Sequence, residues 1–236
     1  MPSPLHIGIV GCSAEGAALC YRTICAEGQA VLGEHVHPPV SMHTASLADY
    51  VACLNAGDLE GVASLMLDSA DRLARAGADF LICPDNTIHQ AMDRVQPRSP
   101  LPWLHIAQVV TDDASSRGFR RLGLTGTRWL VQSDVYPDAC RRAGLECIRP
   151  STAHRDRMGQ LIMDELVHGV FEATTVRFFQ SVIEDLESAG CDAVILGCTE
   201  IPLIISDANS MLPTLDSTRL LARAAVRRAC GSAGAA

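Results

Sequence analysis

Two short stretches hold the residue types that move protons. The first is LICPDNTIH, Leu81–His89, where an apolar run ends in Cys83, Pro84 and Asp85 and continues into Asn86 and Thr87. The second is GCTE, Gly197–Glu200, which follows the apolar run CDAVIL. Each offers a titratable side chain at the end of what reads as a buried strand. In the first stretch both Cys83 and Asp85 are candidates. A free carboxylate titrates at about 3.9 and a free thiol at about 8.5, so the choice decides what the site can do.

An internal repeat separates the two. Laying AGADFLICPDNT (76–87) over AGCDAVILGCTE (189–200), an offset of 113, puts Ala76, Gly77 and Asp79 on Ala189, Gly190 and Asp192, with Leu73 on Leu186. Laying IGIVGCS (7–13) over LGLTGTR (122–128), an offset of 115, puts Gly8 on Gly123 and Gly11 on Gly126. Two segments that repeat at nearly one offset indicate a duplicated α/β unit. In this register Cys198 falls on Asp85, while Cys83 falls on Leu196, inside the strand. Asp85 and Cys198 are therefore the paired candidates.

These residues need elements to position them. Strands are expected at 6–10, around 40–44, and at 79–83, 103–106, 121–126, 145–150, 192–197 and 211–216. Helices are expected at 59–76, where Val62, Leu65, Met66, Ala70 and Leu73 recur at three- and four-residue spacing, and at 157–169, 175–189 and 218–229. Gly77 and Gly190 follow helices directly, as C-terminal glycines do. Alternation of apolar strands with helices predicts parallel sheets covered on both faces. Such sheets bind ligands beyond the carboxyl ends of their strands. The loops Gly11-Cys12-Ser13, Pro84–Thr87, Gly126–Arg128 and Gly197–Glu200 all fall there. With the two units facing each other, Asp85 and Cys198 approach one cleft from opposite sides. Ser13, Asn86, Thr87, Thr127 and Thr199 add donors suited to a carboxylate or another small anion. Two proton-transfer groups on opposite faces of one carbon are what stereoinversion requires.

Composition bounds the alternatives. The 236 residues are 48% hydrophobic and 19% charged, a globular balance. A formal charge of −8 argues against nucleic acid as a partner. No apolar run reaches the roughly 18 to 20 residues of a membrane span, and the start MPSPLHIGIVGCS lacks the pattern of a signal peptide. The ten cysteines then read as reduced thiols in the cytosol, most of them small buried apolar residues. No CxxC occurs and no Cys/His set has zinc-ligand spacing, so no metal is expected. His35 and His37 read as surface residues.

GCTEIPLII (197–205) after CDAVIL resembles the second-half signature of the aspartate/glutamate racemase superfamily, and NTIH (86–89) resembles the first-half signature. IGIVGCSAEGAALCYRTI (7–24), GLTGTRWLVQSDVY (123–136) and DELVHGVF (164–171) resemble its bacterial amino-acid racemase branch, so the similarity runs along nearly the whole chain. The resemblance implies an α/β fold of two pseudo-symmetric lobes, each a parallel sheet flanked by helices, with the active site between them. The lobes would be 1–105 with 215–230, and 106–214, leaving 231–236 as a disordered tail. It implies cofactor-independent, PLP-free chemistry on a small amino acid or related carboxylate. Two thiols move the α-proton, and a homodimer is the assembly it suggests. Cys198 matches the second thiol. The first sits in the family immediately before the Asn-Thr pair, and that position here is Asp85. Gly11, Cys12, Ser13, Asn86, Thr87, Thr127, Thr199 and Glu200 are the matching substrate-binding candidates.

Two departures follow. An Asp/Cys pair is chemically unequal, which leaves room for a one-way reaction, or for an isomerase, lyase, decarboxylase or hydrolase of a small acid on the same scaffold. A two-lobed binding protein without catalysis is the reading from another class. The basic residues that acidic-amino-acid racemases of the family use for the side-chain carboxylate are also missing. Ser41-Met42-His43-Thr44 contains no Arg or Lys, and Val170 stands where a lysine is expected. His43 and His168 read as incidental.

Overall fold

The computed structural model describes residues 3–231, so the tail expected to be disordered lies outside the described residues from position 232. In chain order the elements are β1 (Ile7–Gly11), α1 (Ala14–Leu32), β2 (Val40–Thr44), α2 (Leu47–Ala56), α3 (Leu59–Arg75), β3 (Phe80–Ile82), α4 (Met92–Val95), β4 (Trp103–Leu104) and α5 (Ile106–Ser116). They continue with β5 (Arg121–Gly126), α6 (Arg128–Gln132), α7 (Val135–Arg142), β6 (Glu146–Ile148), α8 (Thr152–Asp164), α9 (Ala173–Ser188), β7 (Ala193–Gly197), β8 (Thr214–Asp216) and α10 (Ser217–Ala229). The chain divides into two compact units. One takes the described residues through Val109 and those from Thr218 onward; the other is Val110–Ser217.

Each unit contains one four-stranded sheet, ordered β2-β1-β3-β4 in the first and β6-β5-β7-β8 in the second. Every pairing is parallel. The repeat extends to register. Ile7 pairs with Phe80 and Gly8 with Leu81 in the first sheet; Leu122 pairs with Ala193 and Gly123 with Val194 in the second. Residues superposed by the sequence repeat therefore hold the same rungs.

The same local devices recur around those rungs. The Asp79 carboxylate accepts the His6 N–H at 2.7 Å, and the Asp79 N–H donates to the His6 carbonyl at 2.8 Å. Asp192 repeats this with the Arg120 N–H at 2.7 Å and the Arg121 carbonyl at 2.9 Å. Gly77 (φ +88°) and Gly190 (φ +85°) turn the chain out of α3 and α9 in the left-handed region that glycine tolerates. Gly8 and Gly123 clear space for the helix that leads into the partner strand, α3 before β3 and α9 before β7. A Cβ on Gly8 would stand 3.4 Å from Leu73 Cβ, and one on Gly123 would stand 3.1 Å from Leu186 Cβ.

Strand alternation divides the first unit's core in two. Ile7, Ile9, Phe80 and Ile82 pack with Cys20, Ile24, Leu221 and Val226. Val10, Leu81 and Cys83 pack on the other face with Tyr50, Val62, Met66 and Leu73.

The departures from the expected elements lie at their ends. The helix expected at 157–169 begins earlier, at Thr152, because Ser151 caps it by accepting the His154 N–H; it stops at Asp164, and a 3-10 turn follows at Leu166–His168. The strand expected at 103–106 ends at Leu104, and Ile106 already begins α5. His35 and His37 lie between α1 and β2, both exposed.

Candidate active site

The carboxyl end of β3 carries the first candidate. Cys83 lies just past the strand, fully buried in the Tyr50–Val62 cluster, with its thiol 3.7 Å from the Asp85 carbonyl oxygen. Burial, then the neighbouring Asp85, pushes this thiol well above the ordinary range. Cys83 is thus a packing residue with little thiolate to offer. Asp85 is half-buried and turns the chain: its carboxylate accepts the Thr87 N–H at 3.2 Å, an Asx-type turn leading into a 3-10 helix at Thr87–Ala91. Asn86 and Thr87 are buried beside it, 2% and 5% exposed.

Two side chains fix this loop from behind. His89 is buried, its Nε2 is 3.1 Å from the Cys83 carbonyl, and its ring meets His105 edge-on at 4.6 Å. Burial first, and His105 second, lower its pKa well below the ordinary imidazole value, so it is a neutral Nε2–H donor stapling position 83 to position 89. Tyr50 of α2 is fully buried, and its phenol is pushed up by burial and by Cys83, Cys12 and Asp85. Sequence reasoning passed over Tyr50. The available signal was a polar aromatic in the helix just past the carboxyl end of β2.

The carboxyl end of β7 carries the second candidate. Cys198 immediately follows the strand and is 6% exposed. Its thiol donates to Glu200 Oε2 at 2.8 Å, and the Thr199 hydroxyl donates to the same oxygen at 2.8 Å. Thr199 and Glu200 are each 3% exposed. The strand end is held from the neighbouring connection, where the Ser217 hydroxyl donates to the Leu196 carbonyl at 2.8 Å. The expectation treated Glu200 as a substrate contact; its bond to the thiol was not legible from the motif.

The glycine loops lie beside these ends within each unit. Gly11 ends β1, which pairs with β3, and Cys12 and Ser13 follow it; Gly126 ends β5 in register with Gly197, and Thr127 follows it. Ser13 caps α1 by accepting the Gly16 N–H at 3.2 Å, and Thr127 caps α6 by accepting the Leu130 N–H at 3.2 Å. Cys12 is 5% exposed, on the Tyr50 side of the sheet. The first unit therefore gathers Gly11, Cys12, Ser13, Asp85, Asn86 and Thr87 at one sheet edge. The second gathers Thr127, Cys198, Thr199 and Glu200 at the equivalent edge. Among the described residues no group of three or more His, Cys, Asp or Glu side chains could hold a metal ion, and no helix is long and apolar enough to cross a membrane.

The chain belongs to the Asp/Glu/Hydantoin racemase family, which it matches over residues 7–225. It is 25% identical over 173 residues to the broad specificity amino-acid racemase RacX of Bacillus subtilis (strain 168), covering 72% of this chain and 73% of that protein. Among solved structures, a candidate Asp/Glu racemase from Yersinia pestis superposes with a TM-score of 0.87 at 28% identity, covering 96% of this chain and 99% of the other. An aspartate racemase homologue from Pyrococcus horikoshii OT3 superposes with a TM-score of 0.82 at 26% identity, covering 95% and 99%.

Proposed function

We propose that the protein is a cofactor-independent amino-acid racemase or epimerase in which Asp85 and Cys198 exchange protons with opposite faces of the substrate α-carbon. The observation that carries this reading is a buried cysteine, hydrogen-bonded through its thiol, at the end of β7 in a chain of the racemase family. The Asp85 carboxylate takes the α-proton as the C–H bond breaks, and the electron pair passes into the substrate carboxylate. The Cys198 S–H then gives its proton to the other face, forming the new C–H bond and leaving a thiolate. Solvent afterwards carries a proton from the Asp85 carboxylic acid back to the sulfur.

The α-proton is very weakly acidic, so the substrate carboxylate must be polarised while the charge develops. Ser13, Asn86, Thr87 and Thr127 are the donors assigned to it; the Thr199 hydroxyl already gives its proton to Glu200. The lack of Arg or Lys in 41–44, together with the broad specificity of the Bacillus relative, favours side chains other than carboxylates. We further take the enzyme to act in the cytosol as a homodimer, with neither nucleic acid nor membrane as a partner.

The test is incubation with paired L- and D-amino acids in D2O, reading α-deuteration and chirality. Exchange with inversion supports the proposal. Exchange confined to one enantiomer would favour a reaction other than racemisation on the same scaffold, since the two enantiomers are equal in free energy. No exchange on any amino acid would refute the racemase.

A further inference from the structure

Glu200 is a misfit as a contact for the substrate carboxylate. An ionised carboxylate has no proton to donate and repels another anion at short range. Its Oε2 atom is already engaged by two donors, the Cys198 thiol and the Thr199 hydroxyl, each at 2.8 Å. Two donors converging on one buried oxygen are what an anionic acceptor collects. A proton shared between a thiol and a carboxylate stays on sulfur, since their ordinary pKa values differ by about 4 units.

We infer that Glu200 is a positioning residue that keeps Cys198 in its thiol form and thereby makes it the proton donor of the resting enzyme. The inference rests on the racemase reading for its catalytic meaning, not for its chemistry. A thiolate at position 198 would face the Glu200 charge across a single hydrogen-bond distance, in surroundings almost closed to water. That repulsion favours S–H. The hydrogen bond also fixes the thiol's orientation, and Thr199 holds the carboxylate oxygen in place. Charged or titratable groups on the elements around β7 include Arg121 at the start of β5 and Arg128 just past its end, Asp216 at the end of β8, and Arg177, Glu184, Asp185 and Glu187 of α9; Tyr136 of α7 and Glu165 lie in the same unit. The last accepts a hydrogen bond from Thr175 at the start of α9. Arg128 extends over the Trp129 ring at 4.8 Å. Tyr136 is buried, and burial pushes its phenol up, so it adds no negative charge. The duplication does not repeat the device: in the register of the repeat, Glu200 falls on Thr87, whose N–H instead donates to Asp85.

The experiment is the pH profile of iodoacetamide alkylation at Cys198, followed by mass spectrometry of the peptide that contains it, in the substrate-free protein. The wild-type midpoint should lie above the ordinary thiol value of about 8.5. In Glu200→Gln, which keeps the shape and removes the charge, it should fall by about one unit or more. Glu200→Asp, which retracts the charge by one methylene, should lie between the two and serves if the Gln variant does not fold. An unchanged or raised midpoint in Glu200→Gln overturns the inference, as does a wild-type midpoint near neutrality. A merely structural Glu200 would not lower the midpoint. Because no substrate is present, failure of the racemase reading in the deuterium experiment leaves this result standing, and the reverse holds as well.

Discussion

Beyond β3, Asp85 is half-buried and its carboxylate accepts a backbone N–H; beyond β7, Cys198 is almost closed to solvent and its thiol donates to a carboxylate. One edge presents an acceptor and the other a donor. The scaffolds beneath them are nearly the same: identical strand order, equivalent register, the same Asp clamp and the same Leu–Gly packing. The difference teaches that the duplicated unit specifies where a group stands, while two or three loop residues specify its proton affinity.

Substitution at the two ends breaks the comparison most severely. Cys198→Ala and Asp85→Asn should each slow racemisation by about a thousandfold or more, the upper part of what a positioned acid or base contributes. Cys83→Ser should stay within about threefold of wild type, because Cys83 packs behind the loop and touches no substrate. Initial rates of chirality change on the best substrate check all three. A lethal Cys83→Ser beside a harmless Asp85→Asn would reverse the assignment.

A stability effect comes next. In the register of the repeat, Pro84 and Gly197 are equivalent, yet the second unit has no room for a side chain there. A Cβ on Gly197 would lie 2.6 Å from the Thr125 carbonyl oxygen and 2.6 Å from Leu130 Cδ2. The backbone oxygen cannot move aside as a side-chain tip can, so Gly197→Ala should cost about 2–3 kcal/mol of unfolding free energy in urea titrations. Wild-type stability in that variant would mean the two strand ends are less different than described.

The smallest expected effect is a pH dependence confined to the first end. His89 is buried neutral with its pKa held well below the ordinary value. The unfolded chain therefore binds a proton that the folded chain refuses. Its contribution is fully present above the unfolded pKa of about 6.5 and is lost as pH falls toward the folded pKa, at up to about 1.4 kcal/mol per pH unit. Urea midpoints at pH 7 and pH 5 should differ less in His89→Gln than in wild type. An equal or greater difference in the variant would contradict the staple.

Much of this was legible in the residues. All eight expected strands occur, because apolar runs flanked by glycine and loop residues carry both burial and period. The repeat already aligned Gly8 with Gly123 and Leu73 with Leu186, and the structure gives these pairs their physical reason in helix packing. The start of α8 was misplaced because its cap, Ser151, lies outside the apolar periodicity. The strand at Trp103 ends two residues before the expected 106 because Ile106, apolar in either a strand or a helix, begins α5. At the site, the register of the repeat pairs Cys198 with Asp85 and sets Cys83 on Leu196 within the strand, and Cys83 is fully buried. The convergence of Cys198 and Thr199 on one Glu200 oxygen depends on loop dihedrals that spacing does not encode. The approach of Tyr50 to Cys12, Cys83 and Asp85 depends on how α2 folds back on the sheet.

The proposed pairing of Asp85 with Cys198 is tested most directly by the fate of deuterium at low conversion. One enantiomer of the best amino acid is incubated in D2O, and product and unreacted substrate are separated and analysed at once. Two groups on opposite faces predict product carrying solvent deuterium at the α-carbon while the recovered substrate remains unlabelled. Deuterium entering recovered substrate as fast as product would mean a single group serves both faces, and would contradict the assignment of Asp85 and Cys198.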